Sequence, residues 1–348
     1  MTRPMTMKSR FLIALGVSMF CLGAAYAAPA FAADEINIYT TREPGLIQPL
    51  IAAYEAKSGV KVKTIFMKDG LAERVAAEGA NSPADILMAV DFGNLVDLVE
   101  KGVTQDVSSP ALDAAVPANL RDADGGWYAL SLRARIVYAA KDEGIKKINY
   151  EALADPEWKN KICIRSGQHP YNTALVAAYI AHHGEAKAEA WLRGVKANLA
   201  RKPSGGDRDV ARDILGGICD IGIGNSYYVG LMRADNAKPE QKAWGEAITT
   251  VLPRFEGGAT HVNVSGAAIA KYAPHKEAAV AFLEFLVSDE GQLLYAQENF
   301  EYPVKPGAKT SPLIEALGPL DVDPLPLAEI AKHRKLASEL VDRVGFDG

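Results

Sequence analysis

The chain has 348 residues, 49% of them hydrophobic, with 38 basic against 43 acidic side chains and a formal charge of −5. That balance argues against a general nucleic-acid role, which needs a basic face to meet phosphate. Beyond the first thirty-odd residues, no stretch approaches the length and apolarity of a membrane span.

Residues 1–33 read as a secretory signal peptide. Arg3, Lys8 and Arg10 make a basic start, Phe11 to Ala25 is an apolar run too short to span comfortably, and Ala30-Phe31-Ala32-Ala33 offers small residues for cleavage before Asp34. Removing that segment leaves 35 basic against 43 acidic groups, a formal charge of −8. The 315 residues that follow exceed what one hydrophobic core usually serves, so two lobes are expected.

From Asp34 onward, strands and helices alternate. Ile36–Thr40 reads as a strand, Leu46–Ser58 as a helix stopped by Gly59, Val60–Phe66 as a strand and Leu71–Glu78 as a helix; strand Ala84–Val90 and helix Leu95–Glu100 follow. The segment Trp127–Ala140 reads as extended and crossing. Then come strand Lys161–Ser166, helices Asn172–His183, Lys187–Asn198 and Asp209–Leu215, and a strand from Cys219 that closes in the polar turn before Tyr227 and Tyr228. Strand His261–Ala270, helix Lys276–Val287 and a final helix over Leu327–Val344 complete the pattern. Such alternation without a long linker predicts an α/β protein whose two lobes are joined by crossing strands, with the cleft between them.

Cys163 and Cys219 remain after cleavage, each eight residues ahead of a tyrosine. In an oxidising compartment they can pair, provided their strands are neighbours; two separately buried thiols are the equal alternative. No CxxC or cysteine-rich zinc pattern is present.

The chemistry is expected at Tyr227 and Tyr228. A strand of β-branched residues and glycines ending in Asn225-Ser226 brings them to a sheet's carboxyl edge, where open α/β sheets bind ligands. Two phenols there suit a hard cation, whereas one packed and one wetted ring is the plain alternative. The histidines show no HxxxH or HExxH spacing and read as solvated or core residues. Asp207-Arg208-Asp209 reads as a helix start, with the acids facing the dipole.

Several strings, taken in order, resemble the periplasmic ferric-ion-binding proteins of bacterial iron ABC transporters. They are Tyr39-Thr40-Thr41-Arg42-Glu43-Pro44-Gly45, Arg133-Ala134-Arg135, Ile164-Arg165-Ser166 with Pro170-Tyr171-Asn172, Gly205-Gly206-Asp207, Asn225-Ser226-Tyr227-Tyr228, His261-Val262-Asn263 and the ending Val341 to Asp347. The resemblance implies a two-lobed type II solute-binding fold, with crossing strands as hinge. Residues 34–131 with 254–305 would form one lobe, and 132–253 with 306–348 the other.

It also implies Tyr171, Tyr227 and Tyr228 as Fe(III) ligands and delivery by a periplasmic monomer to an inner-membrane ABC permease. Many members carry His-Tyr after the first-turn arginine; here Glu43-Pro44 stands in that place, as in the subgroup that uses three tyrosines and a synergistic anion, commonly carbonate. Arg42 and Arg133 are the expected cations for that anion, since guanidinium suits a planar oxyanion. Arg133 and Arg135 are taken to point to opposite faces, so that only Arg133 reaches the cleft. A same-fold receptor for a small organic anion such as a phosphonate or carboxylate is the second reading. A metal-dependent enzyme is the third, disfavoured because no nucleophile–base pair or zinc motif is recognisable.

Overall fold

Alternation of strands and helices is borne out in the computed structural model, which describes residues 1–2 and 35–348. Strand β1 (Glu35–Thr40) leads to α1 (Pro44–Ser58), β2 (Lys61–Phe66), α2 (Leu71–Glu78), β3 (Ile86–Ala89), α3 (Phe92–Glu100), β4 (Thr104–Gln105) and α4 (Pro110–Ala115). The long β5 (Tyr128–Ala140) follows. After it come β6 (Ile162–Cys163), α5 (Pro170–His183), α6 (Glu185–Ala197), α7 (Asp207–Leu215), β7 (Ile221–Asn225), α8 (Ser226–Arg233), α9 (Pro239–Ala247) and β8 (Ile248–Val251). The chain returns through β9 (Val262–Ala270), α10 (Lys276–Leu286), α11 (Asp289–Glu298) and β10 (Tyr302–Pro303). It ends in α12 (Pro312–Glu315), α13 (Leu327–Ala331) and α14 (Arg334–Val344).

Local chemistry sets the ends of these elements. Pro44 opens α1, where a missing N–H costs nothing, and Gly59 closes it in the left-handed region at φ 76°. The Asp91 carboxylate accepts the Gly93 N–H and so caps α3.

The sheet runs β2-β1-β3-β9-β5-β7-β6. Strand β5 belongs to both of its halves: Tyr128–Ala134 pairs antiparallel with β9, and Arg135–Ala139 pairs antiparallel with β7. Its last residues also carry β8. The four residues of β3 are all buried, as expected of a strand covered on both faces by helices. A buried ion pair locks the first half where its strands meet. Arg42 donates to Glu301 at 2.9 Å and to Ser265 Oγ at 2.6 Å, and Ser131 donates to the same carboxylate.

Cys163 and Cys219 are joined in a disulfide with their Cα atoms 5.8 Å apart, both buried. The β6–β7 ladder has just two registered pairs, Ile162↔Ile221 and Cys163↔Gly222, so the covalent bond holds a short edge strand that hydrogen bonds alone would hold weakly.

Four expectations are corrected. The strand read over Lys161–Ser166 shortens to two residues because the carbonyls of Arg165 and Ser166 accept from Asn172 Nδ2 instead of from a ladder. The last helix is broken at Lys332-His333 into α13 and α14. Helices α9 and α11 and strand β8 stand where the sequence, lacking a clear apolar period, shows no element. The polar turn expected at Asn225-Ser226, ahead of the tyrosines, is instead the start of helix α8, which carries Tyr227 and Tyr228 in its first turn. The signal-peptide reading of residues 1–33 falls, beyond its first two residues, outside the described residues. Among the described residues no helix is long and apolar enough to cross a membrane.

Candidate metal centre

The alternation Ile221-Gly222-Ile223-Gly224 has a packing cause. A Cβ on Gly224 would lie 2.2 Å from the Tyr138 ring, so glycine lets that ring cross the strand and donate its hydroxyl to the Asn225 carbonyl at 2.6 Å. Next, Ser226 Oγ accepts the Ala134 N–H at 3.1 Å and anchors the start of α8 to β5. Tyr227 is buried and Tyr228 half-buried, with ring centroids 4.1 Å apart.

Tyr171 comes from a second helix start. Pro170 opens α5, and His169 caps it by accepting the Tyr171 N–H on Nδ1 at 3.2 Å. Burial first, and the Arg165 guanidinium second, push the His169 imidazole down to about 4, so the ring stays neutral and able to accept. Its ring meets that of Tyr171 edge-on at 4.5 Å. All three phenols therefore rise from the positive ends of helices, which favour negative charge.

Arg133 ties the two sources together. Its guanidinium carbon lies 5.5 Å from the Tyr171 ring centre and 5.9 Å from that of Tyr227, and Nη1 donates to Tyr171 Oη at 3.4 Å. The Val264 carbonyl accepts from Nη2 at 2.7 Å and the Val90 carbonyl accepts from the same nitrogen. Two further arginines flank the cluster: Arg165 lies 5.4 Å from the Tyr171 ring and the exposed Arg208 lies 5.6 Å from that of Tyr228.

The opposite-face expectation for Arg133 and Arg135 is corrected, because residues two apart on a pleated strand share a face. Both reach the start of α5, Arg133 at Tyr171 and Arg135 at Asn172, whose Oδ1 accepts at 2.6 Å. Arg135 is otherwise occupied by Asp207 at 2.6 Å and Asn225 at 3.0 Å. Asp207, read from sequence as a dipole partner alone, turns its carboxylate inward: it also accepts the Asn225 N–H at 2.9 Å and faces Arg165 at 3.4 Å. It thereby holds the end of β7 in place for the tyrosine pair.

Burial above all, and then the neighbouring phenols of Tyr171 and Tyr228, push the Tyr227 hydroxyl well above its ordinary 10.0. Tyr228 is raised by burial, by Tyr171 and by Asp207. The neighbouring guanidinia pull these two phenols down less than burial pushes them up, so they hold their protons, and only a stronger positive charge can displace those.

Arg42 is not brought to this cluster by any of its contacts, which are with Ser265, Glu301 and the Tyr295 ring. Glu43, its neighbour in sequence, is exposed, and the carboxylate that pairs with Arg42 is Glu301. The histidines serve elsewhere. His182 pairs with Asp323 at 2.9 Å and His275 with Asp85 at 3.2 Å, while His261 is buried without a partner on either nitrogen and burial pushes it down to about 3. Among the described residues no group of three or more His, Cys, Asp or Glu is gathered to hold a metal.

Residues 81–316 match the family described as bacterial extracellular solute-binding protein. Iron uptake protein A1 of Synechocystis sp. (strain ATCC 27184 / PCC 6803 / Kazusa) is 38% identical over 316 residues, 90% of this chain and 88% of that protein. The Bordetella ferric binding protein superposes with a TM-score of 0.86 at 63% identity, covering 90% of this chain and all of the other (100%). A Trichodesmium protein (IdiA, FutA) solved in complex with iron and citrate ligands gives a TM-score of 0.84 at 39% identity, over 90% and 99% of the two chains.

Proposed function

The chain belongs to the bacterial extracellular solute-binding protein family and has its type II fold, and from that premise we propose that it captures Fe(III) in the periplasm and delivers it to an ABC permease. Capture, not catalysis, is the activity. The observation that carries this reading is the gathering of Tyr171 and Tyr227, from two helix starts, around the buried Arg133, with Tyr228 packed against Tyr227. Fe(III) is a hard cation that phenolate oxygen suits, and its charge supplies the drive to expel phenolic protons. The likeness to proteins named for iron uptake and ferric binding supports the same cargo. We read residues 34–131 with 254–305 and 132–253 with 306–348 as the two lobes of a monomer that closes on the ion, with β5 and β9 as the crossing strands.

Three phenolates neutralise Fe(III), yet Arg133, Arg165 and Arg208 stand beside them. That surplus of positive charge supports a synergistic anion, for which carbonate has the planar, bidentate geometry that guanidinium matches. Arg133 is the preferred contact; for Arg42 to take part, Glu301 and Ser265 must first release it. The same three guanidinia support the second reading, a receptor for a small organic anion such as a phosphonate or carboxylate.

Titrating Fe(III)-citrate into the purified apo protein separates the two. A visible phenolate-to-iron band saturating at one equivalent, weaker in bicarbonate-free buffer, is the expected result. No colour at stoichiometric iron rejects the ferric reading, and full affinity without bicarbonate rejects carbonate. A second expectation follows from the raised phenols. Because Tyr227 and Tyr228 remain protonated up to and beyond 10.0, binding releases their protons throughout the neutral and acid range. Affinity therefore falls steadily as pH falls, with about two protons exchanged per ion by this pair. Equilibrium competition against a chelator of known pH dependence measures that slope.

A further inference from the structure

The three tyrosines do not share one support. Tyr227 and Tyr228 rest on Ser226 and on the Asp207 carboxylate that holds Asn225. Tyr171 depends on the loop 166–168 that precedes its capping residue, and that loop is gripped by a residue nearly 180 positions away in sequence.

Asp347 places both carboxylate oxygens on it. Oδ1 accepts the Gly167 N–H at 2.7 Å, while Oδ2 accepts the Ser166 hydroxyl at 2.7 Å and the Gln168 N–H at 3.2 Å. The sequence makes the approach possible at Gly167, where a Cβ would lie 2.8 Å from the Phe346 ring. From this loop the path to the phenol is short. The Ser166 carbonyl accepts the His169 N–H at 3.1 Å and Asn172 Nδ2 at 2.9 Å, and His169 caps α5 and meets the Tyr171 ring.

Apolar packing of Leu340, Val341 and Val344 already seats α14 against its neighbours, so the carboxylate is not needed to close the core. Bonds from backbone N–H groups to an ionised carboxylate are about twice as strong as neutral ones. They fix the loop rather than the fold.

We infer that Asp347 is a positioning residue for Tyr171: it sets the loop that orients this single tyrosine, and leaves the Tyr227–Tyr228 pair untouched. The inference rests on the reading of Tyr171 as an Fe(III) ligand. Its test is a double-mutant cycle on the full chain, with Fe(III)-citrate and bicarbonate as the probe. Asp347→Ala is expected to weaken Fe(III) binding roughly tenfold and to move the charge-transfer band toward that of Tyr171→Phe. In the Tyr171→Phe background the same change should cost less than about twofold, because the residue it acts through is already disabled. Arg343→Ala, in the helix that precedes Asp347 but bonded to Glu185 and Glu189, should match the native protein.

Equal losses in both backgrounds, or an unaltered band in Asp347→Ala, overturn the inference while leaving the ferric reading intact. A native protein without the band overturns both. Should Asp347→Ala not accumulate as folded protein, Asp347→Asn keeps the shape, turns an acceptor into a donor, and gives the same comparison.

Discussion

Replacing Tyr227 by phenylalanine is expected to remove most of the visible iron band and lower Fe(III) affinity by at least about 100-fold, since even residues behind a metal's direct ligands cost 10–100-fold when changed. The substitution is chosen because it isolates one oxygen. Phenylalanine keeps the ring that packs, tilted, against Tyr228 at 4.1 Å and lies 5.9 Å from Arg133. Tyr227 Oη also makes no bond that holds two elements together, so apo stability should stay within about 1 kcal/mol of the native protein. Loss of affinity without loss of stability would identify the hydroxyl as a ligand. A Tyr227→Phe protein that binds with native affinity and colour would remove Tyr227 from the site.

Asp207→Ala is the change expected to cost most in stability, about 3–5 kcal/mol, because it strands the Arg135 guanidinium in a dry interior. Arg135 is 1% exposed and Asp207 1% exposed, and the same carboxylate also satisfies the Asn225 N–H. Urea unfolding of the apo protein, monitored by fluorescence, gives the number. Replacing both partners, as in Arg135→Met with Asp207→Leu, should recover much of the loss, since a buried pair is costly to break but not necessarily better than an apolar one. A loss below about 1 kcal/mol for Asp207→Ala would show that water reaches Arg135 and that the pair is not structural in this sense. The two experiments address different things: Tyr227 concerns the ion, and Asp207 concerns the strand end that presents the tyrosines.

Much of this could be read along the chain. The order of strands and helices, the stop at Gly59, the start of α2 at Leu71 and the tyrosine pair after an Ile-Gly-Ile-Gly-Asn strand all follow from side-chain period and from capping. Those are effects of near neighbours, and a sequence displays near neighbours directly. Among the elements it hid, α9, α11 and β8 have a weak apolar period, so that tertiary contacts decide their form, while β4, α4, β10 and α12 are six residues or shorter and leave little period to read.

What only the tertiary structure decided is which charge meets which. Arg42 has Glu43 next to it and yet is paired with Glu301, 259 positions away. Asp207 looks like a helix-dipole residue and is the counter-ion of Arg135. Cys163 and Cys219 read equally as two thiols until β6 and β7 lie side by side. Burial is the reason. A charge in water needs no particular partner, whereas one removed from water must find one, and the order in which the sheet stacks its strands determines what lies within reach. The three tyrosines could therefore be picked out along the chain; the meeting of Tyr171 and Tyr227 at Arg133, and the Asp207 and Asp347 carboxylates behind them, came with the fold.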